Sequence, residues 1–423
     1  MTASARSPEG KRHSAQRKTS PPKTANISKK KKEQKSKGAR ATTRQQQKLR
    51  RAASRKTAAV PRSRKRQTSL ARRPPRAPTQ PSRRERVSAL TRSSSNPLIA
   101  PQPHYAWESW QTFNPAAMLV EDRIHFFYRA IGYDGVSRIG YASSYDGFTL
   151  AERLTSPVFA HPTRGSAAVV RVSGSSGGSW SGAEDPRAIY IAEDDTIYLT
   201  YTACGESLGV GLTTISRADL LAKQWRWQPP RVISPPHETH KNWVIFPQRI
   251  RGQYAILTSL SPRVLVHYRP SMTFAQDEWI ESVYTPQPLT EGWEAYIRGA
   301  GPPPLPTPYG WLLFYHAVAR NAPGIYKLGA LLLDYANPTV ILRRAPQPIL
   351  EPQEVYEWNG HKPGVVYATG AVILGSTLLL YYGAADTYVG VAYAPAASFL
   401  ESLIQGGAPR LAYRRVQQRR AAQ

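Results

Sequence analysis

The chain has 423 residues, a formal net charge of +29 and one cysteine. Residues 1–96 carry 30 Lys and Arg against three acids, whereas the remaining 327 residues carry 27 basic and 25 acidic groups and are nearly neutral. One cysteine excludes an intrachain disulfide framework, and the N-terminus lacks the apolar segment of a secretory signal, so we expect a cytoplasmic protein.

Residues 1–96 are predicted to form a disordered basic tail and linker. This segment contains no Phe, Tyr or Trp and is rich in Ser, Thr, Gln and Pro, so it buries too little apolar surface to offset its ordering entropy. Such a tail attracts nucleic acid or an anionic surface through counterion release, and a functionally silent extension is the alternative. We expect a folded β domain over residues 97–410 and a basic C-terminal tail over 411–423.

A repeated strand pattern organises the neutral part of the chain. Five apolar segments, each followed by a second strand, place the following residues in register: Tyr128, Tyr201, Thr258, Tyr315 and Tyr382. A repeat of about 60 residues built from short strands predicts radial repetition, here an all-β five-bladed β-propeller, with a β-sandwich as the alternative. Helix content should be low, and residues 218–223 are the best helical candidate. The uncharged run 364–385 is interpreted as two strands joined by a turn rather than as a membrane span.

The stretch 182–187 places two adjacent carboxylates between a Gly-rich segment and an apolar strand. Pro186 biases Asp185 away from the helical region, so we expect Asp185 in an extended conformation at the strand entry. A stiffly held carboxylate with Arg187 two positions on suits general-acid chemistry on a polar substrate, and an ion pair that closes a loop is the alternative. In a propeller the inner strands end around one channel, where we expect this pair and the strand-end residues of the repeats: Arg129, Thr202, Ser259, His316 and Gly383.

Nine short motifs between about residues 96 and 394 resemble glycoside hydrolase family 130, the mannoside phosphorylases and β-mannosidases. The motifs occupy residues 113–117, 128–130, 137–147, 182–187, 246–247, 301–304, 310–316, 331–334 and 381–387. The resemblance implies a five-bladed propeller that cleaves β-mannosidic bonds with inversion and without a metal or cofactor. Inorganic phosphate is then the co-substrate, and a β-mannoside disaccharide or oligosaccharide is the other substrate. A homo-oligomer is compatible with this interpretation.

The resemblance also implies roles for individual residues. Asp185 matches the catalytic acid, which protonates the glycosidic oxygen, in phosphorylases through a sugar hydroxyl. Lys241 matches a basic phosphate-site position, and Arg249 lies near it in the sequence. The residues expected to contact the substrate are Asn114, Arg129, Asp146, Arg187, Tyr315, His316 and Asp386.

One position separates two versions of the reaction. Phosphorylases of this family carry His-Arg where this chain has Thr258-Ser259, which removes two expected phosphate contacts. Nearby basic residues could compensate, namely Arg249, Arg263 and His267. Otherwise water is the nucleophile and the protein is an inverting β-mannosidase, whose base would be one of three acids, Glu206, Glu238 or Glu294. A non-catalytic sugar-binding propeller tethered by its cationic tail is the third interpretation.

Overall fold

The computed structural model describes residues 90–162, 177–205, 207–283 and 292–406, all of them within one unit of the chain, Thr79–Gln423. The predicted basic C-terminal tail and residues 1–89 of the predicted N-terminal tail lie outside these ranges. The folded part begins before the predicted boundary at residue 97, because Thr91–Arg92 already pairs with the last strand of the chain.

The described part is mostly β, as predicted. The strands are β1 Thr91–Arg92, β2 Gln111–Val120, β3 Arg123–Ile131, β4 Val136–Ser144, β5 Glu152–Arg153, β6 Ser181–Ile191, β7 Thr196–Cys204, β8 Leu208–Ser216, β9 Arg231–Val232, β10 Val244–Ile245, β11 Tyr254–Ser259, β12 Leu265–Arg269, β13 Tyr296–Ala300, β14 Leu305–Thr307, β15 Gly310–Ala319, β16 Ala322–Leu333, β17 Ile341–Arg344, β18 Val366–Leu374, β19 Thr377–Ala384 and β20 Tyr388–Pro395. The α-helices are α1 Arg217–Leu221, α2 Val355–Trp358 and α3 Ala396–Gly406.

The strands form five antiparallel groups in chain order. Group 1 is β2–β5, group 2 is β6–β9, group 3 is β10–β12, group 4 is β13–β17, and group 5 is β18–β20 with β1 at its edge. Groups 1 and 2 belong to one sheet because β4 and β6 pair in parallel over two residues. The two strands predicted within residues 364–385 are β18 and β19, and the predicted helix is α1, capped by the Ser216 side chain.

The predicted register positions have a common structural role in four of the five groups. The Tyr lies directly opposite a glycine of the next strand, in the pairs Tyr128–Gly140, Tyr201–Gly211, Tyr315–Gly329 and Tyr382–Gly390. A Cβ on any of these glycines would lie 2.2–2.7 Å from the Tyr ring, so only glycine fits. Each Tyr hydroxyl then meets an acidic or histidine side chain, in order Glu108, His161, Glu294 and Glu357.

The third group departs from this pattern in both members of the pair. Thr258 replaces the Tyr and lies where the register between β11 and β12 shifts, and no glycine faces it. Its hydroxyl accepts a hydrogen bond from Ser282 at 2.8 Å. The Tyr ring and the facing glycine are therefore absent together. In the other four groups the ring packs into the space that the glycine leaves open.

Five buried apolar clusters separate the five groups in cyclic order. One cluster lies between groups 1 and 2, the next between groups 2 and 3, then 3 and 4, then 4 and 5. The last cluster lies between groups 5 and 1, where Tyr381 packs edge-on against Phe126. Alternate residues of one strand supply two clusters: Leu312 and Phe314 of β15 face one side, and Leu313 faces the other.

The N-terminal segment of the described chain is fixed to group 5. Arg92 pairs with the buried Glu357 at 2.7 Å, and the Asn96 side chain bonds the backbone of Val391. None of the helices within the described ranges is long and apolar enough to cross a membrane.

Candidate active site

Asp185 lies on a bulge of β6. The register between β6 and β7 shifts between Glu184 and Arg187, and Asp185 adopts φ +48°, in the left-handed region. The expectation of an extended Asp185 is therefore wrong. The bulge re-aims the side chain, and Asp is one of the few residue types other than glycine that tolerate this backbone region.

A second bulge brings Asn114 to the same place. Asn114 has φ +46° in β2, is followed by a proline as Asp185 is, and donates from Nδ2 to Asp185 Oδ1 at 2.7 Å. Arg129 Nη1 donates to the same oxygen at 2.9 Å. Asp185 Oδ2 accepts no hydrogen bond from a residue in the described ranges. Among the described residues, the protein therefore fixes one oxygen of Asp185 and not the other.

Arg129 connects the two adjacent carboxylates. It is 1% exposed, and besides Asp185 it contacts Glu184 at 3.0 Å, while its Nε donates to Ser137 Oγ at 3.1 Å. Ser179 Oγ accepts from Arg129 and donates to Glu184. Because these partners come from β4, from β6 and from Ser179 just before β6, the position of Arg129 on β3 is fixed from two other strands. We call Asp185, Asn114, Arg129 and Glu184 the Asp185 cluster.

Arg187 supports the cluster from the other side. Its guanidinium donates to the Asp185 backbone oxygen at 2.9 Å, to Gly301 O at 2.9 Å and to Asn242 Oδ1 at 2.8 Å. The Asn242 oxygen also accepts from the Tyr367 hydroxyl at 2.8 Å. Arg187 is buried among neutral acceptors, so its charge acts on the nearby Asp185.

The surroundings shift the pKa values of two buried carboxyl groups, Asp185 and Asp386, in opposite directions. Burial alone raises the pKa of Asp185, but Arg129, Arg187, the Asn114 amide and Lys241 outweigh it and hold the pKa at about 2. Burial raises the pKa of Asp386 to about 6, against the opposing effect of Lys362 and Arg129. A pair of carboxyls with separated pKa values is typical of acid–base sites.

His316 lies behind this site rather than in it. Its Nε2 donates to Ala368 O at 2.8 Å, and its ring stacks on Tyr367 with centroids 3.6 Å apart. Burial and the charge of Arg187 lower the pKa of His316 to about 3, so the ring is neutral. Through Tyr367 and Asn242 it positions Arg187.

A small recess of about 20 Å³ adjoins Asn242. We call it the Lys241 recess, and its polar lining consists of Lys241, Asn242, Thr258, Ser259, Ser261 and Arg298. Two cations and three hydroxyl side chains, with no carboxylate among its described lining residues, make it suitable for an anion. The charge of Lys241 also acts on Asp185, so the recess and the cluster form one electrostatic site.

Three predicted site residues lie elsewhere. Asp146 is exposed, and its side chain accepts hydrogen bonds from the backbone of its own turn. This turn follows Ser144, which pairs with Ile124 of β3. Ile124 lies five residues, or roughly 17 Å, along β3 from Arg129. Arg249 pairs with Asp194 at 2.7 Å, past the far end of β6 from Asp185. The Tyr315 hydroxyl donates to Glu294, within the core between groups 3 and 4.

Two of the three acids considered as hydrolytic bases have side-chain partners in the structure. Glu294 is bonded by Tyr315 and Arg344, and Glu238 is an exposed acid that contacts His240 at 2.9 Å. Glu206 lies outside the described residues, as do residues 173–176 of the Gly-rich segment before Asp185. No group of three or more His, Cys, Asp or Glu side chains suited to a metal occurs in the described ranges.

Sequence reasoning missed five residues of this site, namely Ser179, Glu184, Asn242, Arg298 and Tyr367. Glu184 was visible as half of an acidic pair. Arg298 had no signal of its own, because a register shift in β13 between Ile297 and Gly299 decides where it lies.

The fold and site together define the class of the protein. An all-β scaffold holds a carboxyl group, one oxygen of which accepts no hydrogen bond from the described residues, and a recess lined by two cations whose described part contains no carboxylate. The chain belongs to glycoside hydrolase family 130. A sequence model of this family, described as beta-1,4-mannooligosaccharide phosphorylase, matches residues 76–404.

Individual proteins of known name are similar over nearly their whole length. A 1,2-beta-oligomannan phosphorylase of Thermoanaerobacter sp. (strain X514) is 32% identical over 312 residues, covering 72% of this chain and 96% of the relative. A beta-1,2-mannobiose phosphorylase of the same organism is 32% identical with the same coverage. The solved beta-1,2-mannobiose phosphorylase of Listeria innocua shares the fold, with 23% identity, a TM-score of 0.55 and coverage of 74% of this chain and 99% of that chain.

Proposed function

We propose that the protein is an inverting β-mannoside phosphorylase, which transfers a mannosyl group from a β-mannoside to inorganic phosphate and releases mannose 1-phosphate. Its family and the names of its relatives support this activity. The observation that carries the proposal is the Lys241 recess next to Asp185. Hydrolysis would need no anion site there.

In this mechanism Asp185 is the general acid. Its Oδ1 is bonded by Asn114 and Arg129, so Oδ2 delivers the proton, directly or through a sugar hydroxyl. The bond between the anomeric carbon and the leaving oxygen breaks, and the proton passes to that oxygen. A phosphate oxygen forms the new bond from the opposite face, which inverts the configuration. Asn114, Arg129, Arg187 and Asp386 bind the sugar or orient the acid.

Bound phosphate also affects the pKa of Asp185. With its present neighbours Asp185 is ionised at neutral pH, whereas a general acid must carry a proton. An anion bound beside Lys241 opposes the cationic field that lowers the pKa of Asp185. Binding of the co-substrate therefore raises this pKa toward the working range of an acid.

The fold that we propose is a five-bladed β-propeller, in which each strand group is a blade. The argument is the cyclic order of the five apolar clusters, the last of which packs group 5 against group 1. The pairing of β1 with β20 joins both ends of the described chain in one blade. The Asp185 cluster then lies where inner strands of several blades meet.

We further infer a cytoplasmic enzyme whose basic residues before the first described residue, within 1–89, associate loosely with anionic polymers or surfaces, since Thr91–Arg92 already belongs to the fold. The buried free thiol of Cys204 fits a reducing compartment, and the clustered charge supports the tail contact. Nucleic-acid affinity of the full chain that does not weaken with salt would contradict the tail proposal.

The activity is tested on the purified full-length chain with β-1,2-mannobiose and β-1,4-mannobiose, each with and without inorganic phosphate. We expect mannose 1-phosphate, detected by phosphorus NMR, only when phosphate is present. Free mannose released at the same rate without phosphate would identify a hydrolase and overturn the proposal. Binding of mannobiose with no cleavage would identify a non-catalytic protein and would also overturn it.

A further inference from the structure

We propose that Arg298 is the second phosphate-binding cation of this protein and that, with Lys241, it replaces the basic pair missing at Thr258-Ser259. This inference rests on the proposed phosphorolysis, since it assigns residues to the phosphate of that reaction. It differs from the sequence-based expectation, which named Arg249, Arg263 and His267 for the compensating charge.

A bulge and a glycine bring Arg298 to the recess. The register between β13 and β15 shifts on either side of Arg298, and its backbone oxygen accepts from Asn242 Nδ2 at 2.8 Å. The next residue, Gly299, has φ +128°, and a Cβ there would lie 2.7 Å from Asn242 Nδ2. The glycine therefore lets β13 approach Asn242 and places Arg298 in the lining of the recess.

The same asparagine links the backbone of Arg298, through Arg187, to the backbone of Asp185. Asn242 Oδ1 accepts from Arg187, whose Nη1 donates to the backbone oxygen of Asp185. Asn242 follows Lys241 directly and has φ +64°. The two cations of the recess thus belong to segments joined by one side chain that is itself bonded toward Asp185. Phosphate held between them lies beside the acid.

The hydroxyl groups of the recess cannot replace a cation. Ser259 Oγ donates to Ser261 O at 2.9 Å, so its proton is already used. Thr258 Oγ1 accepts from Ser282, which leaves its own proton for a ligand. A neutral donor contributes less than a charge-assisted one, and a multiply charged anion must be desolvated. A second positive charge is therefore required, and among the described lining residues Arg298 supplies it.

Arg249 provides a matched control. It too is an arginine near Lys241 in the sequence, but it pairs with Asp194, bonds the Tyr254 hydroxyl and does not line the recess. The experiment compares full-length Arg298→Ala, Arg298→Lys and Arg249→Ala with the unmodified protein. Circular dichroism and melting temperature verify that each variant folds.

The kinetic readout separates phosphate from sugar. We expect Arg298→Ala to raise the KM for phosphate roughly 10- to 100-fold, the loss of one charge-assisted contact, with the KM for mannobiose changed by less than about threefold. Arg298→Lys should recover part of the loss, and Arg249→Ala should match the unmodified protein. Equal phosphate KM values in Arg298→Ala and Arg249→Ala would overturn the inference.

A binding readout keeps the two proposals distinguishable. If the protein shows no phosphorolysis, the proposed function fails, and titration with inorganic phosphate alone still tests Arg298. We expect phosphate to raise the melting temperature of the unmodified protein and of Arg249→Ala, but not of Arg298→Ala at the same concentration. The same phosphate-induced rise in Arg298→Ala would overturn the inference independently of activity.

Discussion

Replacing Asp185 with Asn removes the transferable proton and leaves the geometry of the cluster in place. The Asn side-chain oxygen can accept from Asn114 and Arg129 as Oδ1 does, and its amide takes the position of Oδ2, which accepts no bond from the described residues. Arg129 keeps its contact with Glu184 at 3.0 Å, so its buried charge retains an anionic partner. We therefore expect the variant to fold.

The expected loss follows from the role of the proton. General-acid catalysis contributes about 10²- to 10⁴-fold, which corresponds to roughly 3–5 kcal/mol of barrier at 1.36 kcal/mol per factor of ten. The loss should depend on the leaving group. Mannobiose needs protonation of a sugar oxygen, whereas a dinitrophenyl β-mannoside releases a stable phenolate without it.

The assay measures phosphate-dependent kcat for both substrates in the unmodified protein and in Asp185→Asn. We expect a fall of at least about 10²-fold with mannobiose and a much smaller fall with the dinitrophenyl mannoside. The phosphate KM serves as the control for an intact recess. An equal fall with both substrates, or no fall with either, would refute the role of Asp185 as the acid.

Two further substitutions test the electrostatics and the backbone of the site. Since burial raises the pKa of Asp386 from 3.8 to about 6, this carboxyl favours the fold below pH 4 and this contribution is lost as the pH rises through 6. Asp386→Asn should therefore raise stability by up to roughly 3 kcal/mol at pH 8 and by little at pH 4, and equal melting-temperature shifts at both pH values would contradict this. Gly299→Ala should lower stability by about 1–3 kcal/mol and raise the phosphate KM, because it strains a residue at φ +128° and displaces Asn242. Gly324→Ala, where a Cβ meets nothing within 4 Å, is the neutral control, and equal effects of the two would count against the proposed packing of Asn242.

The sequence predicted the strands and the register of the repeats because both depend on local patterns. Tyr128 lies in an apolar run, and Gly140 lies on the next strand. This pattern indicates a Tyr ring that packs against the backbone of a glycine. The same reasoning predicted that Arg129 and Arg187 lie near Asp185. Arg129 and Asp185 stand on β3 and β6 of one sheet, and Arg187 follows Asp185 by two positions on β6, so their proximity follows from the order of the strands.

The errors have a different physical cause. Successive residues of a strand point to opposite faces, and a bulge shifts the phase by one residue, so the direction of Arg298 depends on a register shift that composition does not reveal. The positions of Asp146 and Arg249 could not be predicted, because closeness in sequence, or in a motif, does not say which end of a strand a turn occupies. Both lie at ends remote from Asp185.

The third strand group shows how a binding site can keep its charge while its sequence changes. Coulomb attraction depends on the position of a charge and not on the strand that carries it. At the end of β11 the Tyr and its glycine are absent, the register shifts, and small hydroxyl residues line the recess where the family resemblance led us to expect basic ones. Small side chains leave space, and Arg298 of the facing β13 lines that space. If this exchange is correct, restoring a basic residue at Ser259 should bring two like charges together and weaken phosphate binding unless Arg298 is removed as well. Equal phosphate KM values in Ser259→Arg and in the unmodified protein would contradict this exchange.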